Sequence, residues 1–112
     1  AAGTLLASAI MLASSAEAAS TPGFDEAKAK ALFKRNDCSK CHAPDRDKKG
    51  PGLQKIAKEN KGKPGAEEKL IKQLTANPKV KMLDSGKEEE HKAVDTKDMS
   101  EIKNLVAWIL AQ

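Results

Sequence analysis

The chain has 112 residues, of which 20 are lysine or arginine and 16 are aspartate or glutamate, giving a formal net charge of +4. This length allows one small domain, and an aromatic content of 3% with a mean hydropathy of −0.58 leaves little material for a core, so we expect a bound group to stabilise the fold. The positive charge favours acidic partners, whereas the lack of interleaved aromatic and basic residues argues against binding to nucleic acid.

The first residues have the features of an export signal. The apolar run Leu5–Leu12 is too short to span a bilayer, and Ala16 and Ala18 put small residues where a signal peptidase cleaves. We therefore predict that residues 1–18 are part of a signal peptide and that residues 19–112 form the mature domain. The alternative is an amphipathic anchor that the protein retains.

Helical periodicity begins after this segment. Pro22 suits the first position of a helix, and Asp25 and Glu26 place acidic side chains in its opening turn. The apolar positions of this first helix are Ala29, Leu32 and Phe33.

The chain continues with Cys38-Ser39-Lys40-Cys41-His42, a Cys-x-x-Cys pair followed directly by His. This pattern is typical of covalent haem attachment, because two thiols three positions apart on one helical turn face the same way and can each form a thioether bond to the haem edge. His42 would then be the proximal iron ligand. A redox dithiol would need a βαβ pattern around it, which is absent from the sequence. A zinc site would need His91 as a ligand, but His91 is far along the chain and has no nearby partner at finger spacing, so both alternatives are disfavoured.

Two shorter helices and a long loop are predicted after the motif. Gly50-Pro51-Gly52 breaks the chain before a second helix, and a third helix opens at Pro64 and ends at Asn77-Pro78. The apolar positions of these helices are Leu53, Ile56 and Ala57, then Leu70, Ile71 and Leu74. Residues 79–97 show no sustained period and are rich in charge, with a turn signal at Ser85-Gly86, so we predict a long loop.

The last helix has the strongest pattern. Asp98 and Glu101 resemble a capping box at its start, and Trp108 lies beside its apolar face. That face consists of Ile102, Leu105, Val106 and Ile109.

In this order the residues resemble the small class I cytochromes c, from the first helix to Gln112. The shared features are Ala29 and Phe33 in the first helix, the Cys-x-x-Cys-His motif, Gly50-Pro51, and Trp108 in the closing helix. The resemblance implies an all-α fold, with short helices around one covalently bound haem and with the first and last helices crossing. It also implies that the carbonyl of Pro51 accepts a hydrogen bond from His42, which fixes the tautomer of that imidazole.

The distal ligand departs from the family pattern. The family normally presents a methionine, often next to proline, on a loop just before the last helix, and no such pair occurs in this sequence. Met99 falls in the first turn of the last helix, and Met82 follows the third helix closely. His91 precedes Trp108 by about the distance at which small members place their methionine. We predict His91 as the distal ligand, with Met82 as the alternative.

These features together predict a soluble, periplasmic, monomeric cytochrome c that carries single electrons on one haem c. Cys38 and Cys41 would hold the haem, and His42 and His91 would ligate its iron. No residue set indicates nucleophilic or acid–base catalysis, so we expect a carrier rather than an enzyme. The alternatives are a haem subunit of a periplasmic dehydrogenase, or a sensor or enzyme whose sixth iron position is labile.

Six basic residues near the motif could orient an acidic redox partner at the haem edge, or could simply be solvated. They are Lys34, Arg35, Lys40, Arg46, Lys48 and Lys49. No membrane span is expected in the mature chain.

Overall fold

Four α-helices, one 3₁₀ turn and one β-hairpin make up the residues that the computed structural model describes, which are 2–3 and 23–112. The helices are α1 (Glu26–Arg35), α2 (Leu53–Asn60), α3 (Ala66–Thr75) and α4 (Met99–Leu110), and the 3₁₀ turn is Cys38–Lys40. Strands β1 (Lys79–Lys81) and β2 (Glu88–Glu90) pair antiparallel between α3 and α4. This mostly helical architecture confirms the predicted fold class. The predicted signal peptide lies outside the described residues, apart from residues 2–3.

Two aspartates start the helices that frame the domain. Asp25 caps α1 by accepting a hydrogen bond from the Lys28 N–H at 3.1 Å, and Asp98 caps α4 by accepting one from the Ser100 N–H at 2.9 Å. Each carboxylate satisfies an N–H that has no partner inside its helix. The cap at Asp98 agrees with the sequence prediction, whereas α1 begins at Glu26, later than the position suggested by Pro22.

Helix α4 is the centre of the core. Its residues Ile102, Leu105 and Val106 are at most 1% exposed, and α1, α2 and α3 all pack against it. Two interactions join α4 to α1. Asn104 exchanges hydrogen bonds with the backbone of Asp25, and the ring of Trp108 meets that of Phe33 edge-to-face at 5.4 Å. The first and last helices therefore pack together, as the resemblance implies.

The prediction of a structureless loop over residues 79–97 is wrong in part, because a β-hairpin forms there. Lys79 lies opposite Glu90 and Lys81 lies opposite Glu88, so opposite charges face each other across the two strands. Gly86 has a φ of 71° at the turn, where the sequence signalled one. Each strand has three residues and Val80 is the only apolar one, so an apolar alternation could not reveal the pairing.

The start of α3 is also displaced from its predicted position. Gly65 adopts a φ of 77°, in the left-handed region, so the right-handed helix begins only at Ala66 rather than at Pro64.

Candidate functional site

The Cys-x-x-Cys-His segment forms a tight turn directly after α1. Asp37, in the left-handed region at a φ of 57°, ends the helical path, and the N–H groups of Cys41 and His42 both bond to the carbonyl of Cys38 at 3.2 and 3.0 Å. This single turn contains both Cys38 and Cys41. Both are partly buried, and neither is in a disulfide. The turn thus presents two free thiols and an imidazole together.

The thiol of Cys38 is not activated as a redox thiolate. Burial raises the pKa of Cys38, and the ammonium of Lys92 opposes this effect without cancelling it. A reactive dithiol requires a lowered pKa on an accessible cysteine. The environment of Cys38 therefore disfavours the redox-dithiol alternative.

The orientation of His42 is fixed by the loop that follows the motif. Its Nδ1 lies 2.7 Å from the carbonyl oxygen of Pro51, and because a carbonyl can only accept, Nδ1 carries the proton and donates it. Nε2 is then the unprotonated nitrogen that can bind a metal. This is the contact that the resemblance implies for Pro51.

The same loop packs directly against the His42 ring. A Cβ placed on Gly50 would lie 2.6 Å from Cε1 of His42, so any larger residue would force the His42 ring to shift. The loop is held by Asp47, whose carboxylate accepts a hydrogen bond from the Gly52 N–H at 2.8 Å. That hydrogen bond lowers the pKa of Asp47, and a smaller contribution comes from Lys55.

A cavity of about 560 Å³ opens above His42. This volume lies within the range of about 300–1,000 Å³ that is common for cofactor and ligand sites. Cys38, Cys41, His42 and Pro51 border one side of the cavity, and His91 borders it as well. Its apolar walls come from α2, α3 and α4 and include Leu53, Ile56, Leu70, Leu74, Leu105 and Ile109. The cavity therefore combines an apolar interior with two convergent imidazoles.

His91 follows β2 directly and is anchored through its backbone. Its N–H donates to the carbonyl of Pro78 at 2.8 Å, and the side-chain amide of Asn77 donates to its carbonyl at 3.1 Å. The Nδ1 of His91 lies 3.0 Å from the carbonyl of Lys92, so this nitrogen is also the protonated one. Burial lowers the pKa of His91, which favours the neutral imidazole that a metal requires.

The two imidazoles face the same space. The ring centres of His42 and His91 are 6.1 Å apart and the ring planes differ by 41°. Met82, at the end of β1, also borders the cavity. Met99 begins α4, is 45% exposed and is not among the residues that border the cavity.

Five of the six basic residues predicted near the motif, all except Lys34, divide into two groups. Lys40 and Lys49 border the cavity, whereas the side chains of Arg35, Arg46 and Lys48 bond to Asp95, Asp45 and the Ser39 carbonyl respectively. Three further lysines border the cavity and were missed from the sequence, namely Lys69, Lys81 and Lys92. They come from α3, β1 and the segment after β2, so proximity to the motif in sequence could not indicate them.

Within residues 2–3 and 23–112, no three His, Cys, Asp or Glu side chains converge as they would around a metal ion. Over the same residues, no helix has both the length and the apolar character needed to cross a bilayer.

Comparisons with known proteins agree with this geometry. The sequence model of the family described as Cytochrome c matches residues 26–112. The class 1 cytochrome MtoD from Sideroxydans lithotrophicus ES-1 is similar in structure, with a TM-score of 0.73 and 44% sequence identity over 79% of this chain and 96% of that one. A mutant of Nitrosomonas europaea cytochrome c552 is also similar, with a TM-score of 0.57 and 26% identity over 73% of this chain and 96% of that one.

A comparison with curated protein sequences gave no match. The family match nevertheless covers every element of the described domain, and the thiol pair, the imidazole and the apolar cavity fit a covalent haem. The chain therefore belongs to the cytochrome c family as a class I, monohaem member, holds one haem c through Cys38 and Cys41, and functions in haem-based electron transfer.

Proposed function

We propose that the chain is a periplasmic carrier of single electrons whose haem iron is ligated by both His42 and His91. The observation that carries this proposal is the pair of imidazoles facing each other across the cavity with ring centres 6.1 Å apart. Each ring directs its Nδ1 to a backbone carbonyl, that of Pro51 or of Lys92, so Nε2 is the unprotonated nitrogen of each ring.

The spacing of the two rings fits one metal ion between them. An imidazole nitrogen binds a first-row metal at about 2.0–2.1 Å, and the ring centre lies roughly 1 Å beyond that nitrogen, so two opposed ligands give centres roughly 6 Å apart. The observed 6.1 Å agrees with this spacing. Met82 borders the same cavity and is the alternative ligand.

The haem, when bound, supplies a one-electron Fe(III)/Fe(II) couple. The protein contributes two imidazoles whose Nδ1–H groups donate to carbonyls, and such hydrogen bonds make each ligand more basic. Because basic ligands favour Fe(III), we expect a reduction potential below that of relatives with one histidine and one methionine. Two strong ligands also close the iron to small molecules, as suits a carrier rather than an enzyme or a gas sensor.

The location and partners follow from the sequence and the surface. Residues 1–18 are proposed to be part of a cleaved signal peptide, which would direct residues 19–112 to the periplasm as a monomer. Five lysines border the cavity beside four acidic residues, Asp37, Glu59, Glu89 and Glu90, and the lysines would contact redox partners with acidic docking faces. The five lysines are Lys40, Lys49, Lys69, Lys81 and Lys92. Such an encounter is fast, weak and sensitive to salt.

Carbon monoxide binding to the reduced holoprotein tests the proposed ligation. The wild type should resist carbon monoxide, His91→Ala should bind it rapidly and completely, and Met82→Leu, as the matched control at the alternative ligand, should behave as the wild type. Rapid and complete binding by the wild type would favour a labile sixth position. If Met82→Leu bound carbon monoxide rapidly while His91→Ala still resisted it, Met82 would be the ligand.

A further inference from the structure

A hydrogen-bonded pair, the buried Asn36 and the exposed Asp95, joins the haem-attachment turn to the segment that carries His91. We propose that Asp95 is a positioning residue, which Asn36 holds in place so that His91 stays opposite His42. This inference rests on the proposed ligation by His91. It assigns a role to two residues that neither touch the iron nor belong to the attachment motif.

The pair is connected by two direct hydrogen bonds in opposite directions. The side-chain amide of Asn36 donates to the Asp95 carboxylate at 3.2 Å, and the backbone N–H of Asp95 donates to the amide oxygen of Asn36 at 2.9 Å. The same amide group of Asn36 also donates to the carbonyl of Leu32 in α1 at 3.0 Å. Asn36 is only 3% exposed, so its amide oxygen would lack a partner if the contact with Asp95 were lost.

A third side chain completes the contact from the surface. Arg35 donates two hydrogen bonds to the Asp95 carboxylate, at 2.8 and 3.0 Å, in the bidentate geometry that is strongest for this pair. These side chains are about half exposed, so solvent weakens the ion pair. Asn36 itself is buried, so its part-buried hydrogen bonds with Asp95 are less screened by solvent and are the part that fixes position, and Arg35 orients the carboxylate from the surface.

The Asn36–Asp95 pair connects the two chain segments that carry the proposed iron ligands. Asn36 ends α1 two residues before Cys38, and Asp95 lies four residues after His91. The segment from His91 to Asp95 forms neither helix nor strand, so hydrogen bonds to neighbouring elements determine its position. On one side it is held by the end of α3, through the carbonyls of Leu74 and Pro78.

On the other side, the segment is held by α1 and the turn that follows. There the Asn36–Asp95 contact is accompanied by the Arg35–Asp95 ion pair and by a pair between Lys92 and Asp37 at 3.8 Å, both largely exposed. Exposed pairs of this kind contribute little to stability. Loss of the Asn36–Asp95 contact would leave these exposed ion pairs to hold the His91 segment against α1 and the attachment turn.

The test compares three variants of the holoprotein by carbon monoxide binding to the reduced form and by electron paramagnetic resonance of the oxidised form. Asp95→Ala should bind carbon monoxide about tenfold faster than the wild type, the factor expected when a net hydrogen bond to a charged group is lost, and should show a high-spin component. Asp95→Asn keeps an oxygen acceptor for Asn36 and should stay close to the wild type. Asp25→Ala removes the cap of α1 and is the matched control for general destabilisation.

The outcomes separate the inference from the proposed function. If Asp95→Ala resisted carbon monoxide while His91→Ala bound it rapidly, the role of Asp95 would be overturned and the ligation by His91 would stand. The role of Asp95 would also be overturned if Asp25→Ala, at a similar loss of thermal stability, bound carbon monoxide as fast as Asp95→Ala, because the effect would then be one of general destabilisation. A wild type that binds carbon monoxide rapidly would refute the ligation first. If Asp95→Ala does not fold, the milder Asp95→Ser provides the same comparison, with a rate between those of the wild type and His91→Ala.

Discussion

Gly50→Ala should displace His42, because the added methyl group would occupy the space of the imidazole. Its Cβ would lie 2.6 Å from Cε1 and 3.0 Å from Nδ1 of His42, whereas ordinary contacts are 3.4–4 Å. The ring must therefore retreat by about 0.8–1.4 Å, and a shift of that size takes its 2.7 Å hydrogen bond to Pro51 beyond the usual limit of about 3.2 Å. The φ of Gly50 is not in the left-handed region, so the backbone itself accepts alanine.

The expected cost of Gly50→Ala is that of overpacking, about 1–3 kcal/mol in the free energy of unfolding. For a domain of this size each kcal/mol lowers Tm by about 4–8 °C, which thermal unfolding followed by circular dichroism resolves. The reduction potential should rise, because a His42 that no longer donates to Pro51 is a less basic ligand and favours Fe(III) less.

Gly23→Ala is the matched control for this substitution. Gly23 has no atom within 4 Å of the added Cβ and lies before α1, so its alanine variant should keep the Tm and the potential of the wild type. The reasoning would be refuted if Gly50→Ala matched Gly23→Ala in both quantities.

Three further outcomes are expected. Trp108→Ala, which removes a 6% exposed ring packed on Phe33, should lower the free energy of unfolding by about 3–5 kcal/mol in urea titrations, and a loss below 1 kcal/mol would contradict the packing assigned to it. The hydrogen bonds from Arg35 hold the pKa of Asp95 below its usual 3.8 in the folded protein. The ionised carboxylate therefore stabilises the fold fully above pH 3.8, and this contribution is lost as the pH falls through the lower folded pKa. Asp95→Asn should be less stable than the wild type at pH 6, and its free energy of unfolding should fall less between pH 6 and pH 3. Apoprotein, produced without haem and with both attachment cysteines replaced (Cys38→Ser with Cys41→Ser), should show weak far-ultraviolet helical signal, because the apolar walls of the cavity lose their partner; a native-like spectrum would show that the helices fold alone.

The helices and the attachment motif were predictable because their signals are local. The apolar face of α4 recurs at helical spacing, and all four residues predicted for it are buried. The Cys-x-x-Cys-His pattern is likewise contained in five residues, and its chemistry follows from their spacing. The crossing of α1 and α4 followed from the resemblance rather than from periodicity.

The features that were missed depend on residues far apart in the sequence. Pairing in the hairpin depends on lysines opposite glutamates, a register that composition does not reveal. Asn36 and Asp95 are 59 residues apart, and an asparagine at a helix end is ordinarily assigned only a capping role. Ligation by His91 was predicted from its distance before Trp108 and from the needs of the iron, and it stays a prediction. The 6.1 Å between the ring centres of His42 and His91 could be known only from the fold.

Electron paramagnetic resonance of the oxidised, haem-loaded wild type tests the central claim most directly. Ligation by His42 and His91 predicts a low-spin signal characteristic of two imidazoles on one iron. A signal characteristic of one imidazole and one thioether, or a predominantly high-spin signal, would contradict it.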